Sequence, residues 1–142
     1  MAHEVFTDGA FTWNAVDLSD HVREIHLRDN TEFDIEQRMG STVRVRHAVI
    51  KDWGLEINLY QDFAGSEVDA TLSADALAKT PRTWTVRKNK ASAISATNPD
   101  YTATGYISEY EPLSGAFGEL LGTRITVVPG GTAPDLVRDT TP

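Results

Sequence analysis

The chain has 142 residues, a formal net charge of −8 at pH 7 and no cysteine. This length predicts one domain with a substantial buried core, and the lack of cysteine excludes a disulfide scaffold and a thiolate metal site. The negative charge disfavours tight binding to a nucleic acid backbone, which requires lysine and arginine. No apolar run approaches the ~20 residues of a membrane span. The acidic N-terminus lacks the apolar run of a signal peptide, so we expect none.

Short strands are predicted near the N-terminus. Phe11 and Trp13 alternate with smaller or polar residues, and residues 14–17 can turn the chain. Residues 22–27 predict the next strand. Thr, Val and aromatic residues are common in such segments along the whole chain, which predicts a mainly β structure.

Residues 29–52 carry an acidic first half and a basic second half. We predict that they form a long β-hairpin, called the hairpin arm below, with its loop at residues 39–41. Oppositely charged residues face each other in this register, and each such pair stabilises a ribbon by roughly 0.2–1 kcal/mol. The predicted pairs are Glu36 with Arg44 and Asp34 with Arg46 on one face, and Ile35 with Val45 and Phe33 with His47 on the other.

The apolar face of the hairpin arm is narrow, and an isolated two-stranded ribbon is marginally stable in water. We therefore expect the arm to be mobile in a free subunit and ordered only against a partner. An ordinary charged surface hairpin is the alternative interpretation of the same residues.

The strongest pattern of the chain lies in residues 53–72. Residues 53–60 alternate strictly, which predicts a strand that buries one face. Ser66 can cap a following helix, and Thr80 ends it because a residue before proline avoids the helical region. The face that we expect in the core carries Trp53, Leu55, Ile57 and Leu59.

Three more strands are predicted at residues 83–88, 101–110 and 124–128. The predicted fold is mainly β, a sandwich or barrel of about seven or eight strands with one short flanking helix and the long charged hairpin arm. We expect a single domain over residues 1–128 and a flexible C-terminal arm over residues 129–142. Strand alternation further predicts that one face of the second of these strands carries Tyr106, Ser108 and Tyr110.

Catalytic and metal-binding patterns are absent from the sequence. It contains no phosphate-binding loop, no dinucleotide-binding glycine motif, no zinc-protease motif and no nucleophile elbow. His21 and His26 are five positions apart, so in a strand they point to opposite faces and cannot share a metal. We therefore predict no enzyme activity, no catalytic residues, no metal site and no cofactor.

Several stretches, taken in order, resemble the major tail (tail tube) proteins of long-tailed bacteriophages. The set begins with VDLS at residues 16–19 and continues with the charged hairpin. LYQDFAGSEVDATL at residues 59–72 follows, then SATNPDYTATGYISEYEPLSG at residues 95–115 and a final strand after a glycine-rich loop. The order and spacing of the set carry the resemblance, which covers most of residues 16–128.

The resemblance implies a structural subunit that forms homo-hexameric rings, which stack into a hollow tail tube. Such a tube sits in the virion tail, is made in the host cytoplasm, and also contacts tape-measure and terminator proteins. DNA passes through its lumen without specific binding, and no membrane is involved. The subunit-interface residues expected on the hairpin arm are Asp34, Glu36, Arg38, Met39, Arg44 and Arg46, and the candidates for the lumen are Glu56, Glu109 and Glu111.

Two alternatives remain open at this point. A tail terminator or connector subunit would form one ring and stop. A small β-sandwich that binds carbohydrate would instead use an exposed tryptophan as a stacking platform. The tryptophans available for that role are Trp13, Trp53 and Trp84.

Overall fold

The structure is a computed structural model that describes residues 3–142. Among these residues no helix is long and apolar enough to cross a membrane. The elements follow each other as β1 (Ala10–Trp13), β2 (Val16–Asp17), a 3-10 helix (Ser19–His21), β3 (Val22–Glu36), β4 (Val45–Tyr60), α1 (Val68–Ala78), β5 (Arg82–Arg87), β6 (Asp100–Ser114), β7 (Gly122–Pro129) and β8 (Val137–Asp139).

The strands form one antiparallel sheet in the order β2-β1-β5-β6-β7-β4-β3, with β8 paired to β6. This mainly β fold with one α-helix confirms the predicted fold class. The sheet folds over on itself along β6, which pairs with β5 up to Gly105 and with β7 from Gly105 onward. A Cβ at Gly105 would collide with the carbonyl oxygen of Val128 and lie 2.8 Å from the Trp53 ring. Glycine is therefore required where the two halves approach each other.

The inner face of the folded sheet forms the core. Trp53 of β4 and Trp84 of β5 meet edge to face across it, with ring centroids 5.0 Å apart. The alternation predicted for residues 53–60 is confirmed, because every second residue from Trp53 to Leu59 is buried. The other large buried side chains are Phe11, Trp13, Leu18, Val68, Leu72, Val86, Ile125 and Val127.

Helix α1 covers one end of the core with Val68 and Leu72. The helix begins one residue later than the capping pattern predicts, with Glu67 instead of Ser66 at the N-cap position. Ser66 has a left-handed φ of 65° and does not cap the helix. A residue in that conformation cannot present its hydroxyl to the first helical N–H groups in the usual way. The helix ends at Ala78, before Lys79 in the left-handed conformation, in agreement with the predicted stop at Thr80.

A buried carboxylate ties α1 to the sheet. Asp75 accepts a hydrogen bond of 2.8 Å from Trp13 Nε1 and one of 3.1 Å from Arg82 Nε. The three residues belong to the helix, to β1 and to β5, so one side chain joins three elements. Trp13 is fully buried and Asp75 is only 8% exposed, so the indole N–H depends on this carboxylate for its pairing inside the fold.

A second polar contact joins α1 to β6. The Tyr110 hydroxyl donates a hydrogen bond of 2.7 Å to Asp69 Oδ1 in the first turn of the helix. A β-bulge between Ile107 and Glu109 lets Tyr110 pair with the buried Ile125, whereas Tyr106 pairs with Val128 on the opposite face. The prediction that Tyr106 and Tyr110 share a face is therefore wrong, because the extra residue reverses the alternation.

The C-terminal segment, for which the composition predicts a flexible arm, is paired with the sheet in this structure. Beyond β7 it continues along the same edge of β6, where Thr104 N donates to the Ala133 oxygen at 2.9 Å and β8 completes the pairing. Trp53 Nε1 donates a hydrogen bond of 2.6 Å to the Pro134 oxygen, and Leu136 packs on the core. Backbone groups make most of these contacts, so the side-chain pattern gives no sign of them.

The contacts of Asp75 lead to a stability prediction. Replacing Asp75 by alanine leaves the Trp13 N–H and the Arg82 guanidinium without their acceptor, so the free energy of unfolding should fall by about 2 kcal/mol. Asp20→Ala is the matched control, since its side chain is 93% exposed, and it should change stability by less than about 0.5 kcal/mol. Urea denaturation of the dispersed subunit, followed by tryptophan fluorescence, measures both. Equal effects of the two substitutions would show that Asp75 is not a structural link.

The Tyr110 contact leads to a prediction about alkaline pH. Burial, together with the hydrogen bond and charge of Asp69, raises the pKa of Tyr110 from 10.0 to about 12. The unfolded chain therefore ionises this phenol first, and the stability it contributes below pH 10 is lost as the pH rises towards 12. The stability advantage of the wild type over Tyr110→Phe should shrink across this interval in urea denaturation at stepped pH. An advantage that stays constant with pH would contradict the assignment.

Candidate assembly surfaces

The hairpin arm exists, but its register is not the predicted one. The loop spans residues 37–44 instead of residues 39–41, because β3 ends at Glu36 and β4 begins at Val45. Every predicted cross-strand pair is therefore wrong by one position. The observed partners are Glu36 with Val45, Ile35 with Arg46, Asp34 with His47 and Phe33 with Ala48.

The arm satisfies only part of its own charge. Glu36 pairs with Arg38 and with His47, the latter at 2.8 Å, and these hydrogen bonds, from His47 first and then Arg38, lower its pKa. Lys51 pairs with Asp29 at 3.2 Å near the base. Within the described chain, Asp34, Arg44 and Arg46 take part in no ion pair. These charges remain available to another molecule.

The arm also exposes large apolar side chains. Phe33 and Ile35 are 55% and 50% exposed. Along β3 they share the face that carries Leu27 against Leu55 in the core, because side chains alternate along a strand. The arm thus extends the core-forming face of the sheet beyond the body. Further exposed apolar residues of the arm are Met39, Val43, Val45, Val49 and Ile50.

One edge of the sheet is long and has no strand beside it in the described chain. β3 runs for 15 residues and pairs only with β4. The opposite edge of the sheet is β2, which has 2 residues. A long open edge offers a row of backbone donors and acceptors to another strand, and soluble proteins usually protect such edges. This edge is therefore a candidate surface for pairing with another chain.

The three lumen candidates share the outer face of the sheet. Glu56 of β4 and Glu109 of β6 both pair with Thr126, which lies between them, and Glu111 pairs with Arg124 one step along. Arg124 Nε also lies 3.2 Å from Glu56 Oε1. Sequence alternation placed the acids on one face, but it did not show that Arg124 balances part of their charge.

A second apolar surface was missed at the level of sequence. The end of β6 exposes Leu113, and the loop that follows exposes Phe117 and Leu120, of which Phe117 has no cover at all. Its glycines indicate a loop, and the large apolar residues among them are the signal that could have marked a contact surface.

The structure does not support a sugar-binding platform. Trp13 and Trp84 are fully buried and Trp53 is 3% exposed. Stacking against a sugar requires an accessible indole face, and the chain has three tryptophans in all. The carbohydrate-binding alternative therefore loses the residues on which it depended.

Comparison with known proteins finds similarity to solved structures alone. No family model matches the chain, and no curated protein does. A chain of the virion of a native gene transfer agent particle superposes with a TM-score of 0.71 at 10% identity, over 96% of this chain and 98% of that one. A subunit of the SPP1 tail tube gives a TM-score of 0.70 at 8% identity, over 94% of this chain and 77% of that one.

A third structure adds a stated symmetry. It is the tail of an empty gene transfer agent particle with C6 symmetry, and it superposes with a TM-score of 0.62 at 10% identity, over 83% of this chain and 81% of that one. Identities this low establish the fold alone. The chain therefore has the fold of tail tube subunits.

Proposed function

We propose that this protein is the structural subunit of a phage-like tail tube. Copies of the chain associate into rings, and the rings stack into a hollow conduit through which a genome leaves the particle. The observation that carries the proposal is the match of almost the whole chain to a chain of a gene transfer agent virion and to a subunit of the SPP1 tail tube. The open edge of β3 and the unsupported hairpin arm support it, since both are surfaces that self-association would complete.

Ring formation follows from the open edge of β3. A strand added by a neighbouring copy would satisfy its backbone groups, as in other β-augmented complexes. Such a contact joins two different surfaces of identical chains, and it closes into a ring when the rotation between copies divides a full turn. Six copies per ring is the number supported by the C6 symmetry of the similar gene transfer agent tail.

In this proposal the hairpin arm makes the contact between stacked rings. Its apolar face, with Phe33 and Ile35, gains burial against a copy in the next ring, at roughly 25 cal/mol per Å² of apolar area removed from water. Asp34, Arg44 and Arg46 can then form ion pairs between rings that they do not form within the chain. An arm that is mobile in the free subunit would become ordered on stacking, which couples its folding to assembly.

We place the face with Glu56, Glu109 and Glu111 along the lumen. Carboxylates there repel the phosphate backbone, so DNA slides without a binding site. The Glu56–Arg124 pair keeps this repulsion moderate. The protein acts in the virion tail, with no catalytic role, and its ring surfaces also meet the tape-measure and terminator proteins.

Assembly of the purified chain is the first test. Concentrated protein should form tubes of uniform diameter in negative-stain electron microscopy. Single rings that do not stack would instead identify a terminator or connector subunit. A strict monomer at high concentration in sedimentation velocity would refute the proposal.

The apolar face of the arm provides a directed test of stacking. The double variant Phe33→Ser and Ile35→Ser should keep the fold, because both side chains lie outside the core, yet lose tubes. The matched control is Glu32→Ser with Asp34→Ser, on the same strand and the opposite face. Circular dichroism checks the fold, and the length of the tubes in electron micrographs gives the result. Tubes of normal length in the first variant would remove this face from the ring-to-ring contact.

Cysteine labelling tests the lumen assignment, because the described chain has no cysteine of its own. In assembled tubes, Glu109→Cys should react with a small maleimide and resist one attached to a bulky polymer. Ala74→Cys on the exposed side of α1 is the control, since the helix lies on the other side of the sheet, and it should react with both. Equal reaction of Glu109→Cys with both reagents would place this face outside the lumen.

A further inference from the structure

Three potential metal ligands from distant parts of the sequence converge beside the start of α1. They are His21, at the end of the 3-10 helix, Asp62 in the loop after β4, and Glu67 immediately before α1. One ligand atom from each lies within 4.8 Å of the other two. His21 Nε2 and Glu67 Oε2 are 2.8 Å apart. The spacing between histidines in the sequence could not reveal this group, because its two carboxylates lie 41 and 46 positions after His21.

The loop holds the two carboxylates in place. Asp62 Oδ1 accepts a hydrogen bond of 2.9 Å from Ala64 N, and the Asp62 carbonyl accepts one of 3.0 Å from Asp69 N. Thr71 N donates to the Glu67 carbonyl at 3.1 Å, so the backbone of Glu67 is fixed by the first turn of α1. Contacts of this kind orient ligands before an ion binds. The second carboxylate oxygen of Asp62 remains available.

The charge of the group is unbalanced without a bound cation. Among residues 3–142, no lysine or arginine forms an ion pair with Asp62 or Glu67. Their one cationic neighbour is His21, which carries charge only when protonated and is 21% exposed. Two carboxylates beside a single imidazole give a half-buried site with surplus negative charge. A divalent cation neutralises that surplus.

The chemistry of the three side chains selects the kind of cation. Imidazole nitrogen suits Zn²⁺ and its neighbours among the transition metals, whereas Mg²⁺ and Ca²⁺ prefer oxygen ligands alone. Zn²⁺ binds nitrogen and carboxylate oxygen at about 2.0–2.2 Å, so ligands on a tetrahedral ion lie about 3.4 Å apart. The observed separations, from 2.8 Å to at most 4.8 Å between ligand atoms, lie on both sides of this value.

We propose that His21, Asp62 and Glu67 bind one Zn²⁺ ion, with water in the fourth position. The ion would replace the His21–Glu67 hydrogen bond by two metal–ligand bonds. It would link the connection between β2 and β3 to the start of α1, and thereby stabilise the folded subunit in proportion to its occupancy. The site belongs to a single chain, so it does not depend on tube formation.

The test uses full-length, EDTA-treated and dialysed protein, dispersed as subunits, titrated with Zn²⁺ by calorimetry at pH 7. One equivalent should bind, and His21→Gln, Asp62→Asn and Glu67→Gln should each weaken binding at least about tenfold. His26→Gln is the matched control, because His26 also pairs with a glutamate, Glu24, on the exposed sheet face but belongs to no group of three ligands in the described chain. Its affinity should equal that of the wild type.

A second measurement covers the case of a variant that fails to fold. In wild-type protein labelled with ¹⁵N, Zn²⁺ should shift the Nε2 resonance of His21 and leave that of His26 in place. Absence of binding, equal weakening by His26→Gln, or an unshifted His21 resonance would each overturn the metal site. Because every readout is taken on dispersed subunits, failure here leaves the proposed tube function untouched, and failure to form tubes leaves the metal site untouched.

Discussion

The burial of the Trp53 indole is the interaction on which the rest of the structure depends. Its ring packs edge to face on Trp84, lies against Gly105 at the fold of the sheet, and donates a hydrogen bond to the Pro134 oxygen. One side chain therefore brings together β4, β5, β6 and the C-terminal segment. Aromatic residues bury more apolar area than any other type, and here that area closes the folded sheet. A smaller side chain at this position would leave a cavity between the two halves of the sheet.

Trp53 also marks the boundary between the folded body of the subunit and the hairpin arm. β4 is buried on one face from Trp53 to Leu59, and exposed over residues 45–52. The first half of β4 thus belongs to the hairpin arm, and its second half belongs to the core. β3 and β4 stay paired from the body into the arm, with one β-bulge between Glu32 and Phe33, so the arm has a fixed starting direction even though its tip lacks support. In the proposed tube, the direction of the arm would set the position of one ring relative to the next.

The sequence predicted the parts of the fold that depend on side-chain alternation. The buried faces of β4 and β5 and the position of α1 all follow from such patterns. The sequence did not predict the features that backbone geometry determines. The predicted register would have set Glu36 against Arg44 and Asp34 against Arg46, but the longer loop at residues 37–44 gives a register that sets Glu36 against Val45 and Asp34 against His47. The bulge at β6 and the docking of the C-terminal segment rest on backbone hydrogen bonds, which have no sequence signature. The convergence of His21 with Asp62 and Glu67 required the tertiary fold.

The low identity to similar structures has a physical explanation in the kinds of contact that the proposed assembly uses. Pairing along the β3 edge is made by backbone groups, so it constrains strand geometry and leaves most side chains free to change. Contacts through the tip of the arm depend on side chains, among them Phe33, Ile35 and the unpaired Arg44 and Arg46. The first kind of contact is compatible with an identity of only 10% between similar folds. The second kind must change on both partners together, which would restrict stacking to copies of the same chain.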